Sequence, residues 1–86
     1  MHTVDQLEAV LGVARQLGYV IRQEWLDGNG GGACELAGKK HLFVDLSLST
    51  AEQLDQTADA IRTDPGIYSL TLNFPLQRLF GIRRSA

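Results

Sequence analysis

Cys34, His41 and Asp45 offer a nucleophile, a base and a carboxylate within one short stretch of chain. A Cys-His enzyme needs the thiol activated by the imidazole and a third group to orient that imidazole, and Asp45 is the candidate for the third role. Whether thiol and imidazole meet depends on the register of the hairpin that carries them, because a slip of one residue exchanges the faces of a strand. A three-residue loop at Gly38 to Lys40 pairs Leu36 with Leu42 and Cys34 with Val44, and collects the apolar side chains on one face. A two-residue loop at Gly38-Lys39 pairs Leu36 with His41 and Cys34 with Phe43, and puts Cys34 and His41 on the same side. The first register gives the cleaner core and is the expected one. In it Cys34 is a small buried residue, His41 an exposed strand start beside two lysines, and Asp45 a cap on the loop into the next helix. If Asp45 faced a ligand instead, Glu24 or Glu35 would be its partner.

Asp27-Gly-Asn-Gly-Gly-Gly32 is the other stretch with binding potential, since successive backbone amides in such a loop can cradle an anion. Phosphate loops run from a strand into a helix N-terminus and carry Lys-Ser/Thr after the glycines, whereas Ala33-Cys34-Glu35 follows here. Asn29, Gly30, Gly31 and Gly32 therefore read as a long hairpin tip, open to a partner rather than to a phosphate. One cysteine excludes an internal disulfide and a Cys-rich metal knuckle. With only His2 and His41 beside it, the chain supplies too few ligands for its own zinc ion, and neither metal nor cofactor is expected.

A formal charge of −2 argues against a general nucleic-acid binder, which needs Lys and Arg in clustered excess. The one basic cluster, Arg78, Arg83 and Arg84, reads as a solvated tail. No apolar run is long enough to span a membrane and no secretory signal pattern opens the chain, so a cytoplasmic protein is expected. Eighty-six residues make one domain, residues 1–86, whose stability should be on the order of 4 to 13 kcal/mol.

The elements that must position these residues follow from periodicity. Thr3 and Gln6 have capping-box spacing, and Val4, Leu7, Val10, Leu11, Ala14 and Leu17 form one helical stripe that Gly18 ends as a left-handed cap. Gly12 falls on the polar side with no evident compensation. Tyr19, Ile21 and Trp25 alternate with Val20, Arg22 and Glu24 as a strand; Ala33 to Ala37 and His41 to Leu46 supply two more. Ser49 and Glu52 form a second capping box before a seam of Ala51, Leu54, Ala58 and Ile61. An apolar strand ending in Asp and running into a helix resembles the region before the metal-binding helix of a class of small zinc metallopeptidases. The helix here reads Thr57-Ala-Asp-Ala-Ile61 in place of His-Glu-x-x-His, so the resemblance implies no such activity.

Beyond the Asp64-Pro-Gly66 turn, Tyr68, Leu70, Leu72 and Phe74 alternate with polar residues and predict a fourth strand, before a short helix at Leu76 to Phe80. The expected fold is α+β, in the order α-β-β-β-α-β plus a short C-terminal helix. Its three- to four-stranded sheet is a mainly antiparallel meander with two helices on one face. The expected function is non-enzymatic: a protein-interaction or regulatory module. Tyr68, Leu70, Leu72 and Phe74 would form its binding edge, and it would self-associate as a homodimer through residues 67–82. A small ligand-binding protein or enzyme using Cys34, His41 and Asp45 is the alternative.

Overall fold

The computed structural model describes residues 2–82. Helix α1 (Thr3–Gln16) buries Leu7, Val10, Leu11, Val13 and Ala14, while Val4 is 58% exposed. Its N-cap is His2, with no side-chain capping bond, so the expected Thr3 box does not form: Thr3 already lies inside the helix and its spacing to Gln6 is one residue out of step. The other end forms as expected. Gly18 takes φ +94°, its N–H donates to the Arg15 carbonyl, and the Tyr19 N–H donates to that of Ala14, both at 3.0 Å. These two bonds close a Schellman motif, which only a residue free of a Cβ penalty completes cheaply.

Strands β1 (Val20–Glu24), β2 (Gly32–Leu36) and β3 (Lys39–Asp45) form one sheet in the order β1-β3-β2. β1 runs parallel to β3, while β2 runs antiparallel to it, so the sheet is mixed and the expected antiparallel meander is corrected. The physical reason lies in the segment between β1 and β2. Instead of folding back beside β1 as a hairpin, it crosses the C-terminal end of β3, and the Leu26 and Gly28 amides are held there by the Asp45 carboxylate. A tight reversal makes the crossing possible: Asp27 and Gly28 take φ +52° and +81°, and the Asn29 N–H donates to the Leu26 carbonyl at 3.0 Å. Two successive positive φ values are the signature of a type I′ turn.

A second such pair, Ala37 at φ +51° and Gly38 at +78°, connects β2 to β3. This turn pairs Leu36 with Lys39, Cys34 with His41 and Gly32 with Phe43, a register that differs from both sequence alternatives. The loop is two residues long but begins at Ala37, a position where alanine costs roughly 1 kcal/mol. β2 exerts little pull against that turn, because Leu36 is 48% exposed and contributes nothing to the core. β3 keeps the expected polarity, with Leu42 and Val44 fully buried beneath the helices.

Helix α2 (Thr50–Arg62) begins with the expected box: the Ser49 N–H donates to Glu52 Oε1 at 3.0 Å and the Glu52 N–H to Ser49 Oγ at 3.2 Å. Leu54, Thr57, Ala58 and Ile61 are its buried face. Among the described residues no fourth strand follows. Pro65–Ser69 is a 3-10 helix capped by Asp64, and α3 (Phe74–Leu79) is capped by Asn73, whose Oδ1 accepts from the Leu76 N–H at 3.0 Å. The 3-10 helix and the Asn73 cap leave only residues 70–72 between them, too few for a ladder, and Ile67, Leu72, Leu76 and Phe80 join the core. Both long helices lie on one face of the sheet, as expected, and the shortest dimension of the molecule is 16 Å, that of two layers.

Gly12 sits in α1 with no atom within 4 Å of where a Cβ would stand. Gly12→Ala should therefore gain about 1 kcal/mol, measured as a higher urea midpoint at unchanged slope. A lower midpoint would show that α1 is packed more tightly at this point than its surroundings indicate.

Candidate functional site

With α1 and α2 on one side, alternation along the strands places a defined set of side chains on the other. β1 contributes Val20, Arg22 and Glu24; β3 contributes Lys39, His41 and Phe43; β2 contributes Cys34 and Leu36. Val20 and Leu36 are 43% and 48% exposed, and His41 and Phe43 are half-buried. No element among the described residues forms a layer over this face. His41 stacks toward Phe43 with ring centroids 6.3 Å apart, and the Arg22 guanidinium lies 6.0 Å from the Phe43 centroid while pairing with Glu24 at 2.9 Å. Such an exposed ion pair contributes little to stability. Its effect is to hold Arg22 flat along the sheet.

The register makes Cys34 and His41 direct cross-strand neighbours. Cys34 is exposed rather than part of the core, because the turn at Ala37 moves it to the uncovered face. His41 Nδ1 lies 3.1 Å from the Lys39 carbonyl. A carbonyl can only accept, so Nδ1 is the donor in this contact, and in the neutral tautomer that makes it Nε2 carries the lone pair.

Asp45 is not brought to this pair. It lies four residues further along β3, roughly 13 Å away at strand rise, fully buried beneath the crossing segment. Its Oδ1 accepts from Leu26 N–H at 3.0 Å, Ser47 N–H at 2.9 Å and the Ser47 hydroxyl at 2.6 Å; its Oδ2 accepts from Gly28 N–H at 2.6 Å. Burial alone would push this carboxyl up, but the Ser47 hydroxyl and the three amides outweigh it and hold the pKa at about 2. Both oxygens are engaged in structure, and none is left to orient His41.

The remaining candidates are distributed. Asn29 and Gly30 are exposed, whereas Gly31 and Gly32 are half-buried; a Cβ on Gly31 would collide with the Gln56 carboxamide, so the loop is docked against α2 and is no hairpin tip. Tyr68 and Phe74 are 73% and 68% exposed, Leu70 is half-buried and Leu72 belongs to the core, so the four do not make one binding edge. Phe74 lines a shallow groove with Gln6, Pro75, Arg78 and Leu79. The expected basic cluster reduces to Arg78, since Arg83 and Arg84 lie outside the described residues. Among the described residues, no three His, Cys, Asp or Glu side chains gather to hold a metal ion. Nor is any described helix long and apolar enough to cross a membrane.

Sequence reasoning missed one polar cluster. Asp64 Oδ2 accepts from Lys40 Nζ at 2.9 Å and from the Tyr19 hydroxyl at 3.0 Å, and Lys40 Nζ stands 4.6 Å from the Tyr19 ring centroid. Burial first, then the acceptor and charge of Asp64, push the Tyr19 pKa up to about 12. The cluster ties the starts of β1 and β3 to the turn after α2. No spacing in the sequence announces it, because only the parallel pairing of β1 with β3 brings Tyr19 beside Lys40.

The depressed Asp45 pKa carries a pH signature. Its contribution to stability is complete above the ordinary carboxylate value near 4 and is lost as pH falls from about 4 toward 2. Asp64, held down first by Lys40, and Glu52, held down by Ser49, act in the same direction. Asp45→Asn should lower Tm at pH 7 by on the order of 10 °C. It should also flatten the stability profile between pH 4 and 2 in urea titrations. An unchanged acid slope would mean that Asp45 is not bound as described.

Against known proteins, no family model matches this chain, no curated protein matches it, and no solved structure matches it.

Proposed function

We propose that this chain is a non-catalytic interaction module that associates with a second copy of itself through the uncovered face of its sheet. The observation that carries this reading is that each of the three strands places an apolar side chain on this face, Leu36, Val20 and Phe43 at three successive rows of the register, with no covering layer among the described residues. A two-layer α+β unit ordinarily buries one sheet face and leaves the other polar. Here the second face carries branched and aromatic side chains next to charges of both signs, Arg22 and Lys39 against Glu24. A two-fold pairing lets such a surface complement itself, since each positive group can meet its negative counterpart on the partner.

The size of the surface sets the strength. Three strands about 4.8 Å apart and five residues at about 3.4 Å give a patch of roughly 14 by 17 Å. That is well under the ~800 Å² per partner of a standard stable interface, so self-association through this face alone is weak. Residues 67–82, the dimer segment expected from sequence, offer no strand edge, and of their large side chains Ile67, Leu72, Leu76 and Phe80 serve the core while Tyr68 and Phe74 stand exposed on separate turns. Self-association is therefore assigned to the sheet face.

Sedimentation equilibrium in EDTA, from about 10 µM to 1 mM, should show the mean mass climbing toward that of a dimer with a dissociation constant in the hundreds of micromolar. Val20→Glu and Leu36→Glu, both at exposed positions, should hold the chain monomeric without changing its far-UV circular dichroism. A monomer at the highest concentration, or association undisturbed in both variants, would contradict the reading.

A further inference from the structure

We propose that Cys34 and His41 are half of a tetrahedral site for zinc, completed by the same two residues of a second copy across a two-fold axis. This rests on the sheet-face reading above and adds to it a metal that strengthens the contact. The two side chains leave one face from directly opposed backbone positions, where Cβ atoms stand roughly 5 Å apart. Zinc binds thiolate sulfur at about 2.3 Å and imidazole nitrogen at about 2.0 Å, so two donors on one ion lie within roughly 4 Å of each other. A cross-strand Cys-His pair starts both side chains from backbone positions within reach of one ion.

The imidazole is already arranged for the task. Nδ1–H donates to the Lys39 carbonyl at 3.1 Å, and the neutral ring in that tautomer offers its Nε2 lone pair to a metal. A backbone carbonyl on the non-coordinating nitrogen is one of the standard partners that orient a metal-bound histidine. The stack against Phe43 restricts the ring further.

What one chain lacks is a third and a fourth ligand: no group of three His, Cys, Asp or Glu gathers among the described residues. A structural zinc takes four protein donors. Two copies face to face supply two sulfurs and two nitrogens, and the pair sits beside Val20, between the rows of Leu36 and Phe43, on the face that the dimer would bury. Each thiol loses its proton to solvent as sulfur binds, so one zinc ion releases two protons and its charge is balanced by two thiolates. The small apolar patch, insufficient for a stable dimer by itself, then gains a coordinate link.

The test uses reduced, EDTA-stripped full chain in buffer containing a phosphine reductant, titrated with zinc chloride under light scattering coupled to size exclusion, with cobalt(II) absorption in parallel. Expected are a doubling of mass that saturates at one zinc per two chains, and the ligand-field bands of tetrahedral cobalt with a sulfur charge-transfer band. Cys34→Ser and His41→Gln should each weaken metal-driven dimerisation about 100-fold or more. Cys34 is exposed, so the serine variant should remain folded. One zinc per monomer, a dimer that the reductant abolishes, or a metal-independent dimer unchanged in Cys34→Ser would each overturn the zinc site. The last of these would leave the sheet-face reading standing. A chain that stays monomeric with zinc would overturn the zinc site, while the sheet-face reading falls only if the chain is also monomeric at about 1 mM in the sedimentation experiment.

Discussion

The buried Asp45 carboxylate determines which strands become neighbours. A chain leaving β1 would most simply turn back and pair with β1, yet here it crosses the end of β3 and descends on the far side. Crossing exposes backbone amides over the sheet end, and amides buried without partners are costly. Asp45 satisfies those of Leu26 and Gly28 while also closing the turn at Ser47, so one side chain fastens the segment before β2 and the segment after β3 to the same point. Burying a carboxylate is tolerable only when its oxygens are fully hydrogen-bonded, and four donors meet that condition. The parallel pairing of β1 with β3, and with it the Tyr19-Lys40-Asp64 cluster at the opposite end, depends on this crossing.

Features governed by neighbours in sequence were legible. Gly18 ends α1, the Ser49-Glu52 box starts α2, and Leu42 and Val44 face the helices, because each is decided within a few residues by capping or alternation. The strand order was not legible. The partners through which Asp45 sets that order are the Leu26 and Gly28 amides, 19 and 17 residues away, and an amide carries no residue identity to read. The hairpin register escaped for a related reason: Ala37 holds a positive φ that alanine does not advertise, and β2 has no strong alternation to argue otherwise. Tyr68 to Phe74 alternates convincingly, but Asp64 and Asn73 cap the helical turns on either side and remove the length a strand requires.

The same constraint shapes what the candidate site can do. Because Asp45 is committed to the crossing, the Cys34-His41 pair stands without an orienting carboxylate, and the pair itself exists only because the turn begins at Ala37. On the reading proposed above, a partner surface would supply a third layer over the uncovered face.

Amide hydrogen exchange read by two-dimensional NMR tests the central claim most directly. If Asp45 fastens the crossing segment, the Leu26 and Gly28 amides exchange as slowly as those of the β3 ladder at pH 7, although both lie in a loop, while the neighbouring Asp27 amide exchanges quickly. Leu26 and Gly28 amides that exchange as fast as an open loop would show that the segment is not held by Asp45, and the strand order would then need another cause.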